Sequence, residues 1–149
     1  LPFVVLTGGE PFQQPIGPLV QALIAHNKKV AIETSGAKAP DRDFLDLITM
    51  FPRSLSALLW VTCSPKYTVR YKVAEALEPF ISEVKVVVDE HLTEHHMTKL
   101  SQDATRLGVP FLLSPVSNIP HWIDYATKLC LKHPNWRLSV QTHKFLNLK

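Results

Sequence analysis

Carboxylates, hydroxyls and a lysine recur in this chain at the ends of apolar runs, often beside glycine. Thr7-Gly8-Gly9-Glu10-Pro11 follows the run Leu1 to Leu6. Glu33-Thr34-Ser35-Gly36 closes a run that begins at Lys29, Ser64-Pro65-Lys66 closes Leu58 to Cys63, and Ser114-Pro115-Val116-Ser117 closes Phe111 to Leu113. Glycine adopts positive φ and lets a ligand come close to the backbone. Glu10 can accept hydrogen bonds from a cationic group held at that turn. Glu33 is expected to be buried and to need a partner, either a ligand amine or a nearby Lys. Ser64 adds a hydroxyl and Lys66 a cation. Each segment also reads as an ordinary capped turn, because Thr, Ser and Gly favour such conformations.

Other chemistries are poorly supported. Gly8-Gly9 lacks the later glycines and the Lys of a phosphate-binding loop, and no G-x-S-x-G nucleophile turn occurs. His91-Leu92-Thr93-Glu94-His95 fits an H-x-x-E-H zinc pattern. It falls at the start of a polar helix with no third ligand at suitable spacing. It reads as a solvated helix N-terminus, with Glu90 and Glu94 favoured by the dipole. The two cysteines, Cys63 and Cys130, form neither a disulfide framework nor a metal motif. Cys130, between Leu129 and Leu131, is expected to be buried on a helix face.

The elements that must position these motifs alternate between strand and helix patterns. Strands are predicted over Pro2 to Leu6, Lys29 to Thr34, Leu58 to Cys63, Glu83 to Val88, Phe111 to Leu113 and Arg137 to Gln141. Helices are predicted over Pro18 to His26, Phe44 to Phe51 after an Asp41 cap, Val69 to Leu77, Thr93 to Leu107 with Gly108 as C-terminal cap, and Ile119 to Lys132. Repeated β-α units predict a parallel sheet with right-handed crossovers. Every polar motif then falls at the carboxyl end of a strand, where parallel α/β folds bind ligands.

The chain has 149 residues, 46% of them hydrophobic, and a formal charge of +3. That length suits one domain with a sizeable core. The basic residues are scattered, so a nucleic-acid partner is not indicated, whereas a mild positive field suits a small anionic substrate. No apolar run reaches the length of a membrane span. Few cysteines fit a reducing, cytoplasmic setting. The chain starts at Leu1 inside a strand pattern, without a Met, and we expect it to be the C-terminal portion of a longer protein.

Taken in order, these motifs and the ending Ser139-Val140-Gln141-Thr142-His143-Lys144 resemble radical S-adenosylmethionine enzymes, and among them the 7-carboxy-7-deazaguanine synthase family. The resemblance runs over residues 1–149 as one radical S-adenosylmethionine-like domain. It implies an α/β fold: a partial, open β/α barrel with a parallel sheet, lacking its first strand and cluster loop. It implies that Gly8, Gly9 and Glu10 hold the methionine amine and that Ser64, Pro65 and Lys66 meet the ribose and carboxylate. Ser114, Pro115, Val116 and Ser117 would lie along the adenosine, although this family segment usually reads Gln-Pro-Met-Asp. Thr7, His143 and the terminal Lys149 would reach a pterin substrate; family members often end in a small residue or proline. The implied cofactors are S-adenosylmethionine, a 4Fe-4S cluster and Mg²⁺, and the implied assembly is a homodimer. The family's cluster cysteines sit upstream of the GGE turn. Cys63 and Cys130 cannot replace three closely spaced thiolates, so the chain alone is expected to be inactive. Two alternatives stand beside this reading: another radical S-adenosylmethionine enzyme of activase type, and a non-catalytic module that binds S-adenosylmethionine or a nucleotide.

Overall fold

A computed structural model describes residues 3–141. The strands are β1 (Phe3–Leu6), β2 (Lys29–Thr34), β3 (Leu59–Cys63), β4 (Glu83–Val88), β5 (Phe111–Pro115) and β6 (Trp136–Leu138). The strands lie in chain order within each of two compact units, β1, β2 and β3 in one and β4, β5 and β6 in the other. The fold divides into two compact units. The first runs to Pro65 and includes Lys72–Ser82; the second takes Lys66–Tyr71 and the chain from Glu83.

In the first unit β1, β2 and β3 pair in parallel, with Leu6 opposite Ile32 and Thr34 opposite Cys63. Their apolar runs bury Val30, Ile32, Leu59, Val61 and Cys63. Helix α1 (Gly17–Ala25) starts with Pro18 in its first turn, where a missing N–H costs nothing, and buries Val20 and Ile24. Asp41 caps the short helix α2 (Arg42–Leu45), as its position in sequence predicts. One carboxylate oxygen accepts from Phe44 N at 3.1 Å, and the other accepts from Gly17 N at 2.9 Å. One side chain thus joins the starts of two helices. Asp41→Ala is expected to cost about 2 kcal/mol, the upper end for a lost cap, measured by urea unfolding. A loss near zero would mean that water replaces the cap.

The predicted helix over Phe44 to Phe51 is in fact two short pieces, α2 and α3 (Leu47–Met50). A further turn, α4 (Leu55–Leu58), occupies the residue where the third strand was expected to begin. The predicted helix over Val69 to Leu77 does not form. Two 3-10 turns replace it, Tyr67–Val69 in the second unit and Glu75–Phe80 in the first. Arg70 and Tyr71 take left-handed conformations, with φ of 52° and 55°, and interrupt any continuous helix. Pro79 lies inside the later turn and can donate no helical N–H.

In the second unit β4 and β5 pair in parallel from Val84–Phe111 to Val88–Pro115, and β6 joins β5 with Leu138 opposite Leu113. Helix α5 (Glu94–Leu107) is capped by Thr93, whose hydroxyl accepts from His96 N, and ends at Gly108 with φ of 70°. Its buried residues Met97, Leu100 and Ala104 fall at helical spacing and face β4 and β5. Helix α6 (Pro120–Lys132) buries Ala126 and Leu129. Cys130 is only half-buried, against expectation, because the buried stripe of α6 runs through Leu129. Strand β6 is shorter than predicted. Ser139 N still donates to Leu113 O at 2.8 Å, but Gln141 is then held by the side chain of Asn118 and leaves the ladder. Among the described residues no helix is long and apolar enough to cross a membrane.

Candidate functional site

The first unit gathers three of the predicted motifs at the carboxyl ends of β1, β2 and β3. Gly8 and Gly9 have φ of 85° and 55°, so the turn after β1 depends on residues without a Cβ. A Cβ built on either glycine would meet nothing within 4 Å, which leaves their backbone open on that side. Glu10 closes the turn. Its carboxylate accepts from the Thr34 hydroxyl, from Ser35 N at 2.9 Å, from the Ser35 hydroxyl and from Phe12 N at 3.4 Å. Burial pushes the Glu10 carboxyl up, but the Ser35 and Thr34 hydroxyls and the two backbone N–H groups outweigh it. The net effect holds this carboxyl below its ordinary value.

Two links follow from this bonding. The GGE turn is tied to the end of β2 through Thr34 and Ser35, and the chain after it is tied to the core through Phe12. Phe12 meets Phe44 edge-on at 5.0 Å, and Phe44 meets Phe80 at 4.8 Å. That aromatic row packs Phe12, in the chain just after Glu10, into the core of the unit. A ligand amine at Glu10 would join a carboxylate already engaged with its own chain, so further acceptors would have to come from the backbone carbonyls of the turn. Thr34 and Ser35 were visible as a turn motif. Their service to Glu10 was not, because it links residues 24 and 25 positions apart.

Glu33 is exposed, not buried as expected. In β2 it alternates with Ile32 and Thr34, which take the buried positions. Its carboxylate accepts from the Thr7 hydroxyl at 3.2 Å, which brings together the last polar residues of β1 and β2. Ser64 is half-buried, with its N–H given to Thr34 O at 2.7 Å, and Pro65 is buried. Cys63 is fully buried beside Ser35 O. Burial first, and then the nearby Glu10 charge, push its thiol up to about 12. One hollow in this unit, about 450 Å³, lies against Leu59, Trp60, Ile81 and Ser82 at the opposite, amino end of β3.

The second unit carries the remaining motifs. Lys66 is exposed, and its carbonyl accepts from Val69 N and Tyr71 N, so the chain folds around it. Ser114 and Pro115 end β5 in buried positions, and Val116 and Ser117 continue as a 3-10 turn at the surface. Pro115 can therefore only aim its neighbours. Asn118, which the sequence did not single out, binds Gln141 and fixes the course of the chain after β6. His91 stacks on Tyr67 at 4.7 Å, and His96 bonds the Thr93 hydroxyl and packs on Tyr71. His143 and Lys149 lie outside the described residues.

No protein-family model matches the chain. It is 36% identical over 152 residues to the curated 7-carboxy-7-deazaguanine synthase of Rickettsia prowazekii, covering 98% of this chain and 59% of that protein. The chain is a homologue of the 7-carboxy-7-deazaguanine synthases. It spans about three fifths of the length of these curated relatives. The crystal structure of QueE from Escherichia coli superposes with a TM-score of 0.67 at 25% identity, over 93% of this chain and 56% of that one. Streptococcus suis SuiB bound to S-adenosylmethionine superposes at 0.61 and 12% identity, over 93% of this chain and 39% of that one, a likeness of fold alone.

The synthase homology implies S-adenosylmethionine and a 4Fe-4S cluster. The open glycine turn with its fixed carboxylate fits the amino-acid end of S-adenosylmethionine. The thiols do not fit a cluster. Cys63 is sealed in the core with its proton held tightly, and Cys130 stands on α6 with its thiol pushed up by burial. Among the described residues no three His, Cys, Asp or Glu side chains meet to hold a metal ion, a cluster or Mg²⁺.

Proposed function

We propose that this chain forms the S-adenosylmethionine-holding part of a 7-carboxy-7-deazaguanine synthase. The whole enzyme would be a radical S-adenosylmethionine carbon-nitrogen lyase. It would convert 6-carboxy-5,6,7,8-tetrahydropterin to 7-carboxy-7-deazaguanine with loss of ammonia, in queuosine and 7-deazapurine biosynthesis. The observation that carries the reading is the Gly8-Gly9 turn tied by Glu10 to Thr34 and Ser35 at the strand ends, in a chain with this homology. The chain's residues orient. Gly8, Gly9 and Glu10 take the amino group; Ser64 and Lys66 meet the ribose and carboxylate; Ser114 to Ser117 flank the adenosine. Thr7, His143 and Lys149 face the pterin. No step is assigned to a cluster or to Mg²⁺ on these residues, and the chain alone is expected to be inactive. A cytoplasmic setting and a homodimer belong to the same proposal.

Calorimetric titration of the 149-residue chain with S-adenosylmethionine should show saturable binding. Reconstitution of the same chain with iron and sulfide should leave no cluster absorbance. Absence of binding sinks the proposal, and a stable cluster would overturn the misfit of Cys63 and Cys130. A second reading is a non-catalytic S-adenosylmethionine-binding module. Turnover separates the two. The complete gene product, reconstituted and given the carboxypterin, yields the deazaguanine only if the first reading holds.

A further inference from the structure

Gln141 is held with unusual care for a residue just past a strand. Asn118 Nδ2 donates to Gln141 O at 2.9 Å, and Gln141 N donates to Asn118 Oδ1 at 3.3 Å. One side chain thus satisfies both backbone groups of Gln141 and fixes where it sits. To make this clasp, the chain places Ser117 and Asn118 in succession at φ of 49° and 53°. Asn adopts that conformation readily, but Ser seldom does, and strain at Ser117 persists only where the surroundings impose it.

The side chain so held is left unfinished. Gln141 Oε1 is buried and has no hydrogen-bond partner; among the described residues it is the buried side-chain oxygen or nitrogen in that state. Buried polar atoms are nearly always paired, and an unpaired one is costly. Gln141 as a residue is only half-buried, and its neighbour Val140 is exposed. Rotation of the side chain can therefore bring the oxygen to the surface, and it has no bond to give up in doing so. The clasp stands directly after Ser114 to Ser117, at the carboxyl end of β5.

We infer that the Gln141 side-chain carbonyl is a ligand-specificity acceptor, taking a hydrogen bond from a ring or exocyclic N–H of a flat nitrogen heterocycle bound at the end of β5. The inference rests on the proposed function, which brings two such heterocycles to the protein: the adenine of S-adenosylmethionine and the pterin of the substrate. Asn118 is the positioning residue, since it acts only through Gln141.

Gln141→Leu keeps the size of the side chain and removes the acceptor; Gln141→Glu keeps an acceptor. The 149-residue chain and both variants are titrated with S-adenosylmethionine and, separately, with 6-carboxypterin, and their ligand-free melting temperatures are measured. Gln141→Leu is expected to weaken one of the two ligands about tenfold, with Gln141→Glu retaining most of the affinity. The ligand that weakens identifies the heterocycle. The ligand-free Gln141→Leu protein should melt at the same temperature as the original or higher, because an unpaired buried acceptor has been removed. A lowered melting temperature would show that Gln141 serves the fold and would overturn the inference, as would unchanged affinity for both ligands. If the original chain binds neither ligand, the proposed function falls by itself. The melting comparison then still decides whether Gln141 is a spare acceptor or a structural one.

Discussion

Glu10→Ala should cost the protein about 2 kcal/mol of stability and abolish S-adenosylmethionine binding. The carboxylate accepts from two hydroxyls and two backbone N–H groups drawn from Thr34, Ser35 and Phe12. Hydrogen bonds to a charged acceptor contribute about 1.5–3 kcal/mol each when buried, but this site is partly open and water can replace some of them. The loss is therefore nearer to one bond than to four. Binding should suffer more than stability, since the glycine turn is no longer tied to β2. A Glu10→Ala protein that binds S-adenosylmethionine normally would remove Glu10 from the cofactor site.

The same residue has a pH signature. The folded carboxyl is held below the ordinary value of 4.5, so the folded state favours its charged form. Glu10's contribution is complete above that value and is lost as the pH falls through the lower, folded one. Unfolding midpoints in urea, followed downward from about pH 6, should fall more steeply for the original chain than for Glu10→Gln. Parallel curves would mean that the carboxylate contributes nothing to folding.

Gly17→Ala should destabilise the chain by about 3 kcal/mol, although alanine is ordinarily the better helix residue by about 1 kcal/mol. A Cβ at Gly17 would run into the Asp41 carboxylate and Phe44 N, and would lie 2.8 Å from the carbonyl carbon of Asp43. Two of these three atoms are backbone and cannot turn aside. Relieving the clash means moving α1 away from α2. That movement also breaks the bonds from Gly17 N and Phe44 N to Asp41. The steric loss exceeds the propensity gain, so the sign is set by packing. Urea unfolding checks it, and a variant within about 0.5 kcal/mol of the original would show that the two helices separate freely.

The strands were the most legible part of the chain, because a short apolar run closed by Gly, Ser or Pro has few other readings. Lys29–Thr34 and Glu83–Val88 form as predicted, to the residue. Helix α5 was nearly as legible: it is predicted from Thr93 and begins at Glu94 with Thr93 as its cap, and it ends before Gly108 as predicted. The segment from Val69 to Leu77 was not. Its helical spacing is overridden by left-handed Arg70 and Tyr71, a conformation that no side chain there announces. The break between α2 and α3 was hidden for a similar reason, since no proline or glycine marks it.

By itself the sequence determined the parallel α/β class, the strand ends that carry the polar motifs and the kinship with the synthases. All of these depend on local periodicity and on residue types in order, which a chain displays without folding. Only the tertiary structure decided that Glu10 spends its carboxylate on Thr34 and Ser35, that Glu33 faces outward to meet Thr7, and that Cys63 is sealed in the core. It also decided that Asn118 holds Gln141 with one oxygen unpaired. The reason is that partners more than twenty residues apart are brought together by strand register and helix packing. The face a side chain takes, and the neighbour it meets there, are properties of the assembled sheet and not of the local sequence.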